Sequence, residues 1–266
     1  MLKLKRYIPR QIQPFARNVY ALWHRWVEPV VSFDRIITSA GLYKKYFADW
    51  QRYQELPNAQ PFSWQDTYPC LFDATSTSGI DAHYFYQAVW AMDRIARSQA
   101  NYHVDIGSDV RFISMLTTHL PVTFIDIRPL QAKLPALNAM AGNILVLPFE
   151  DSSVKSLSCM HVVEHIGLGR YGDALNPMGT YQACVELARV LARGGNLFFS
   201  TPVGRPRICF NAHRIHSPQQ ILAYFQELEL VEFSGINDQG EYCQRVDPDT
   251  FANERYACGL FRFTKK

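Results

Sequence analysis

From about residue 101 the chain alternates short apolar runs with stretches of helical spacing, and that alternation admits few folds. The runs lie at Tyr102–Ile106, Val122–Ile125, Ser156–His161 and Asn196–Ser200, with a weaker one near Ala136–Ala141. Two more close the chain, near Leu230–Ser234 and Gly259–Thr264. Between them, Tyr181–Ala192 predicts a helix halted by Arg193-Gly194-Gly195, since glycine adopts the left-handed conformation that ends helices. Ser217-Pro218-Gln219-Gln220 predicts the start of another, over 218–229, with Ser as N-cap, Pro in the first turn and Gln closing a capping box. Strands alternating with helices predict a doubly wound α/β domain, a mainly parallel sheet of seven strands with helices on both faces. The ending breaks the rhythm: helix, strand, long loop and strand predict that the last strand is antiparallel.

The first hundred residues read differently. Ile12, Phe15, Val19, Leu22, Trp23, Trp26, Val27 and Val30 recur at three- and four-residue steps, which predicts an amphipathic helix over 12–31. Three uses fit it: packing on its own domain, lying at a membrane interface with its tryptophans at the headgroups, or docking a protein partner. Residues 56–80 are rich in Pro, Ser, Thr and Gly and read as a linker or wrapped loop. Tyr84, Phe85, Ala88, Val89, Met92 and Ile95 then predict a helix over 81–99. The expected organisation is an N-terminal amphipathic helical extension (1–60), a linker with a helix (61–100) and the α/β domain (101–266).

Composition narrows the function classes. The net charge of +3 conceals a net +6 in residues 1–50 and −3 in the remainder, so the α/β body offers no broad basic face and nucleic acid is not an expected partner. The basic start lacks an apolar run, so a secretory leader is not expected. The six cysteines form no Cys-x-x-Cys pair, which favours reduced thiols and a cytoplasmic protein, with contact at the inner face of a membrane through residues 1–31 as a further option. No carboxylate/His cluster shows ligand spacing, so no metal is expected from sequence.

In open α/β sheets ligands bind beyond the carboxyl ends of the strands. Those ends carry Asp105-Ile106-Gly107-Ser108, Asp126-Ile127-Arg128-Pro129, Gly142-Asn143, Glu164-His165-Ile166-Gly167 and Thr201-Pro202-Val203-Gly204. With Leu147-Pro148-Phe149, His161-Val162-Val163-Glu164-His165 and Leu187…Gly194-Gly195-Asn196-Leu197-Phe198, the series resembles the class I S-adenosylmethionine-dependent methyltransferases, a Rossmann-like superfamily. Glu164-His165-Ile166-Gly167-Leu168-Gly169-Arg170-Tyr171-Gly172-Asp173 and Phe210-Asn211-Ala212-His213-Arg214 resemble, more narrowly, an uncharacterised methyltransferase-like family whose members often accompany polysaccharide and glycosyltransferase genes.

The resemblance implies S-adenosyl-L-methionine as cofactor, held by Asp105, Gly107, Ser108, Asp126, Ile127, Asn143, Leu147 and His161. Glycine after the first strand lets backbone approach the cofactor. Asp126 can accept both ribose hydroxyls, and Asn143 can pair with the adenine amino edge. The superfamily loop usually reads Asp-x-Gly-x-Gly-x-Gly; here Asp109 and Arg111 replace two glycines. Asp109 would repel the cofactor carboxylate, and Arg111 would offset it by pairing with that group.

Arg170, Tyr171, Arg205, Arg207 and Arg214 lie in two polar loops suited to an anionic acceptor, because guanidinium groups bind phosphate and carboxylate bidentately. The expected reaction is O-methylation of a sugar or glycan-linked acceptor, with His165 as base, His213 as second candidate, and Glu164 beside them. Two alternatives stand: a quinone- or lipid-type methyltransferase docked at a membrane, and an inactive methyltransferase-like scaffold.

Overall fold

The computed structural model describes residues 33–61 and 63–266. The amphipathic helix expected over 12–31 lies outside them. The chain divides into two compact units, one ending at Gly79 and one spanning Ile80–Lys266.

In the first unit, helix α1 (Phe33–Gln54) carries an exposed Lys45–Asp49 ion pair one turn apart. After it, a 3-10 turn at Trp64–Asp66 returns the Trp64 ring to the helix, where it stacks on Phe47 and lies 5.5 Å from Trp50. Arg35 sits over the Phe72 ring at 5.3 Å. Aromatic contacts organise this proline- and serine-rich stretch.

The second unit is an eight-stranded sheet between two layers. It opens with α2 (Ala82–Arg97), capped by Asp81, whose carboxylate accepts the Tyr84 amide. Then follow β1 (His103–Ile106), α3 (Val110–Leu116), β2 (Val122–Asp126), β3 (Leu137–Ala141), β4 (Val154–Met160), α4 (Gly179–Val190), β5 (Leu191–Val203), a small hairpin of β6 (Arg207–Cys209) and β7 (His213–Ile215), α5 (Pro218–Tyr224), β8 (Leu228–Ile236), β9 (Tyr242–Cys243) and β10 (Ala257–Lys265). The sheet order is β3-β2-β1-β4-β5-β10-β8-β9. The first five strands pair in parallel; β10 enters between β5 and β8, antiparallel to both. The expected reversed last strand is present, and two-residue β9 adds an eighth strand to the seven expected.

Strand alternation divides the apolar residues between the layers. Phe198 and Leu260 point to α2 and α3, with Trp90, Ile95, Phe112 and Leu116. Their neighbours Phe199 and Phe261 point to α4 and α5, with Ala183, Leu187, Phe225 and Phe263. Each layer buries one helix stripe against one sheet face.

Two expected boundaries move. The helix expected to stop at Gly194-Gly195 ends instead at Val190, and Leu191 is already extended. The glycines lie inside β5, where the register jumps from Val154↔Leu191 to Ser156↔Asn196. They therefore absorb a strand bulge; a Cβ on Gly195 would meet the carbonyls of Ala192 and Lys155 at 2.8 and 3.0 Å. The Ser217–Gln220 capping box forms as expected, but its helix ends at Tyr224, before 229, because β8 begins at Leu228.

One partly buried ion pair ties α2 to β8. Arg94 Nη2 donates to Glu232 Oε1 at 2.6 Å, and Trp90 Nε1 donates to the same oxygen. Burial alone would raise the Glu232 pKa, but Arg94 and the hydrogen bonds of Trp90 and Ser234 hold it below the ordinary glutamate range. Glu232→Ala, which leaves Arg94 only its neighbour Asp93 and frees the Trp90 indole, should cost about 1.5 kcal/mol in urea denaturation at neutral pH. A depressed pKa stabilises the fold above the unfolded value of about 4.3 and is lost as pH falls through the folded value. The gap between wild type and variant should therefore narrow in acid; a gap independent of pH would contradict the assignment.

Candidate active site

The carboxyl ends of β1, β2 and β4 converge on one cleft. At the end of β1 a wholly buried polar network braces the loop. Asp105 accepts the Ser108 amide at 3.0 Å, the Ser108 hydroxyl at 2.7 Å and the Ser158 hydroxyl. Ser108 Oγ in turn accepts the Met160 amide of β4 at 3.1 Å. With its proton committed to Asp105, Ser158 Oγ accepts from His103 Nε2 at 2.8 Å, which leaves His103 Nδ1 to accept from Ser156. Burial lowers His103 to about 3, keeping it neutral, and raises Asp105 to about 6 against its three hydrogen bonds. Asp105 and Ser108 thus shape the loop from beneath. Arg111 turns back onto Asp109, its Nε and Nη2 meeting the two carboxylate oxygens at 3.0 and 2.9 Å. The charge that replaced a glycine is neutralised by its own neighbour, so Arg111 is committed to Asp109, not free for a bound carboxylate as the sequence suggests.

The cleft is half open to solvent. Gly107, Asp126, Ile127, Ile144, His161, Val162, His165 and Tyr171 line it, among others. Gly107 has φ +68°, and a Cβ there would meet Val162 at 3.2 Å and Asp126 Oδ2 at 3.5 Å. Only glycine leaves this floor open. Asp126 Oδ1 accepts the Arg128 amide at 2.7 Å, while Oδ2 faces the glycine with no hydrogen bond among the described residues. Gly142 and Ile144 flank Asn143 at the rim; Asn143 Oδ1 accepts the Leu145 amide, which leaves its amino group uncommitted. Leu147 is buried beneath, its amide donating to Glu186. Arg128 lies over the Tyr171 ring at 4.2 Å and Arg170 at 5.1 Å, joining two walls of the cleft. Sequence reasoning passed over Arg128, although it follows the second strand directly.

The two sequence motifs beyond β4 and β5 form one assembly. After the one-turn 3-10 helix Val163–His165, Asp173 closes the glycine-rich loop on itself by accepting the Gly167 amide at 2.6 Å and the Tyr171 amide at 3.3 Å. Gly167 is required there: φ is +80°, and a Cβ would sit 2.1 Å from the Asn176 carbonyl oxygen. Arg214 of β7 is buried, donating to the Ile166 carbonyl, the Asn176 carbonyl and Thr180 Oγ1 at 2.5, 3.1 and 3.2 Å. It holds the loop from behind, where the sequence suggested a side chain facing the acceptor. Arg205 and Arg207 are exposed and donate to the carbonyls of Asn253 and Arg255.

His165 stands in this frame. Its Nδ1 donates to the Ala212 carbonyl at 2.6 Å, a carbonyl that also accepts Arg170 at 3.0 Å. That bond fixes the tautomer and leaves Nε2 without a proton, with Glu164 Oε1 3.8 Å away. Burial keeps the His165 pKa below its usual value against the pull of Glu164, so the ring is neutral near pH 7. Glu164 is fully buried; its Oε1 accepts His161 Nδ1 at 2.8 Å, and its Oε2 accepts no hydrogen bond among the described residues. Burial opposes charge on His161, but Cys258 and Glu164 outweigh it and lift the pKa to about 10. Sequence reasoning missed a second row of rings beside this group. His83 and Tyr84 each stack on His161 with centroids 5.4 Å apart, and Tyr256 lies between His83 and His213 at 5.1 and 4.9 Å. The only trace of it in sequence is His83-Tyr84 in the first turn of α2.

Comparison with known proteins bears on the fold. Residues 151–250, which include both motifs, match a family described as Caenorhabditis protein of unknown function, DUF268. No curated protein matches the sequence. Among solved structures, geranyl diphosphate C-methyltransferase from Streptomyces coelicolor A3(2), in complex with Mg2+, geranyl diphosphate and S-adenosyl-L-homocysteine, is 15% identical, with a TM-score of 0.50 over 68% of this chain and 79% of its own. A geranyl diphosphate methyltransferase in complex with GPP and sinefungin is 13% identical, with a TM-score of 0.50 over 68% and 78%. The α/β unit has the Rossmann-like fold of methyltransferases.

Removing Arg214 should loosen the frame. Arg214→Ala leaves the Ile166 carbonyl unpaired and takes one of two donors from the Asn176 carbonyl, at a cost of about 2 kcal/mol, and Arg205→Ala at the surface should stay within about 0.5 kcal/mol. Hydrogen exchange should show residues 166–176 deprotected in the first variant alone; equal protection in both would remove the clamp assignment.

Proposed function

We propose that the chain is an S-adenosylmethionine-dependent methyltransferase that methylates a hydroxyl of a sugar or glycan-linked, anionic acceptor. The observation that carries this reading is the Gly107–Asp126 cradle: a glycine-only floor beside a carboxylate with one unpaired oxygen. Asp126 would accept the ribose hydroxyls, Ile127 and Ile144 would cover the base, and the Gly107 backbone would let the cofactor approach closely. The cofactor, when bound, supplies an electrophilic methyl group on a sulfonium centre. Self-neutralisation of Asp109 by Arg111 removes the repulsion that favoured an inactive scaffold.

His165 Nε2 takes the proton of the acceptor hydroxyl, because Ala212 holds the other nitrogen as donor. General-base assistance of this kind contributes roughly 10²- to 10⁴-fold. Most of the remaining acceleration comes from aligning the acceptor oxygen with the methyl carbon, which the braced loops permit. His213 follows Ala212 and is the second candidate. Arg170, Arg207 and Arg205 have guanidinium N–H groups beyond those given to carbonyls, and these groups suit phosphate or carboxylate on the acceptor. Arg214 supports them through the loop.

Calorimetric titration with S-adenosylhomocysteine tests the cleft. The wild type should bind, and Asp126→Ala should weaken binding about ten- to a hundredfold through the lost ribose hydrogen bonds; unchanged affinity would refute the assignment. With phosphorylated and carboxylated sugars as acceptors, His165→Ala should lower turnover at least a hundredfold while S-adenosylhomocysteine affinity stays level. Full turnover in that variant would transfer the base role elsewhere, His213 first.

A further inference from the structure

The ring cluster behind His165 contains a donor set of which the methyl-transfer reading touches only His161, at the cleft wall. His83 in the first turn of α2, His161 at the end of β4 and Cys258 at the start of β10 bring one ligand atom each within 4.8 Å of one another. Strand β5 separates β4 from β10, so this meeting happens across the end of β5. Cys258 is fully buried and His161 nearly so.

We propose that His83, His161 and Cys258 form a transition-metal site of the zinc class. Two imidazoles and a thiolate are a donor set for zinc, not for magnesium or calcium, which prefer oxygen. Zinc bonds of about 2.3 Å to sulfur and 2.0 Å to nitrogen set tetrahedral donor atoms roughly 3.5 Å apart. His161 Nε2 and Cys258 Sγ are already 3.3 Å apart.

The surroundings of His161 support the site independently. Metal-bound histidines characteristically donate their other nitrogen to a carboxylate, which fixes the ring and raises its basicity. Here Glu164 Oε1 accepts His161 Nδ1 at 2.8 Å, directing Nε2 at the sulfur. Glu164 is fully buried and its Oε2 accepts no hydrogen bond among the described residues, so its charge is met only by the imidazoles that face Oε1. A divalent ion on His161 Nε2 adds positive charge facing this carboxylate. Three protein ligands leave one tetrahedral position for water or a substrate oxygen, as in catalytic zinc sites. The sequence could not show the site, because its ligands come from three distant elements with no common spacing.

Cobalt(II) titration of the chelator-treated full chain tests the proposal, with the thiolate-to-cobalt charge-transfer band as readout and zinc as competitor. One equivalent should bind per chain, and zinc should displace it. Cys258→Ser should abolish the band, whereas Cys209→Ser, in the small hairpin, should retain it. Glu164→Gln should weaken cobalt binding roughly 10- to 100-fold. His83 is only partly buried, so His83→Ala provides a variant expected to fold even if Cys258→Ser does not; it should weaken binding at least as much, with circular dichroism unchanged. A folded wild type without a saturable band, or a band that survives both Cys258→Ser and His83→Ala, would overturn the site. The measurement is distinguishable from methyl transfer, since His83 and Cys258 lie outside the cleft lining and S-adenosylhomocysteine affinity should stay level in their variants.

Discussion

A buried guanidinium is tolerated only where oxygen acceptors replace its water, and Arg214 meets that condition with two carbonyls and a hydroxyl drawn from the segment after β4. Its own strand, β7, carries Ala212 and His213 at its entrance, and the Ala212 carbonyl sets the His165 tautomer. The same residue type that sequence chemistry assigns to anion recognition is used here as a strut. Because the strut joins the loops after β4 and β5, the base candidate, Arg170 and Tyr171 keep their places through one buried contact.

On the cofactor side the equivalent constraint is the Asp105 network. Methyltransferase-type loops rely on several glycines to pass close to their ligand; this loop keeps Gly107 and replaces two others with residues that satisfy each other. Ser108 supplies what flexibility no longer does, linking Asp105 to the β4 backbone and through Ser158 to His103. Such a network is stabilising only when every member is paired. Every member here is.

The fold was largely legible because it follows from local periodicity. Alternation along Phe198–Phe199 and Leu260–Phe261, the Ser217 capping box and the late strand that reverses direction are all written within short windows. Gly194-Gly195 misled because glycine ends helices and also permits bulges, and only the pairing of β5 with β4 distinguishes the two. Gly107 and Asp126 were legible as strand-end residues; that Asp126 retains one free oxygen was not.

Sequence by itself determined the layer order, the reversed strand and the edge at which chemistry gathers, since each depends on residues within a few positions of one another. Tertiary structure decided the rest. Whether Arg214 faces solvent or carbonyls, which nitrogen of His165 is bare, and that His83, His161 and Cys258 meet at all depend on contacts between residues tens to more than a hundred positions apart. No local pattern encodes such distances; they arise when the sheet closes and brings the strand ends side by side.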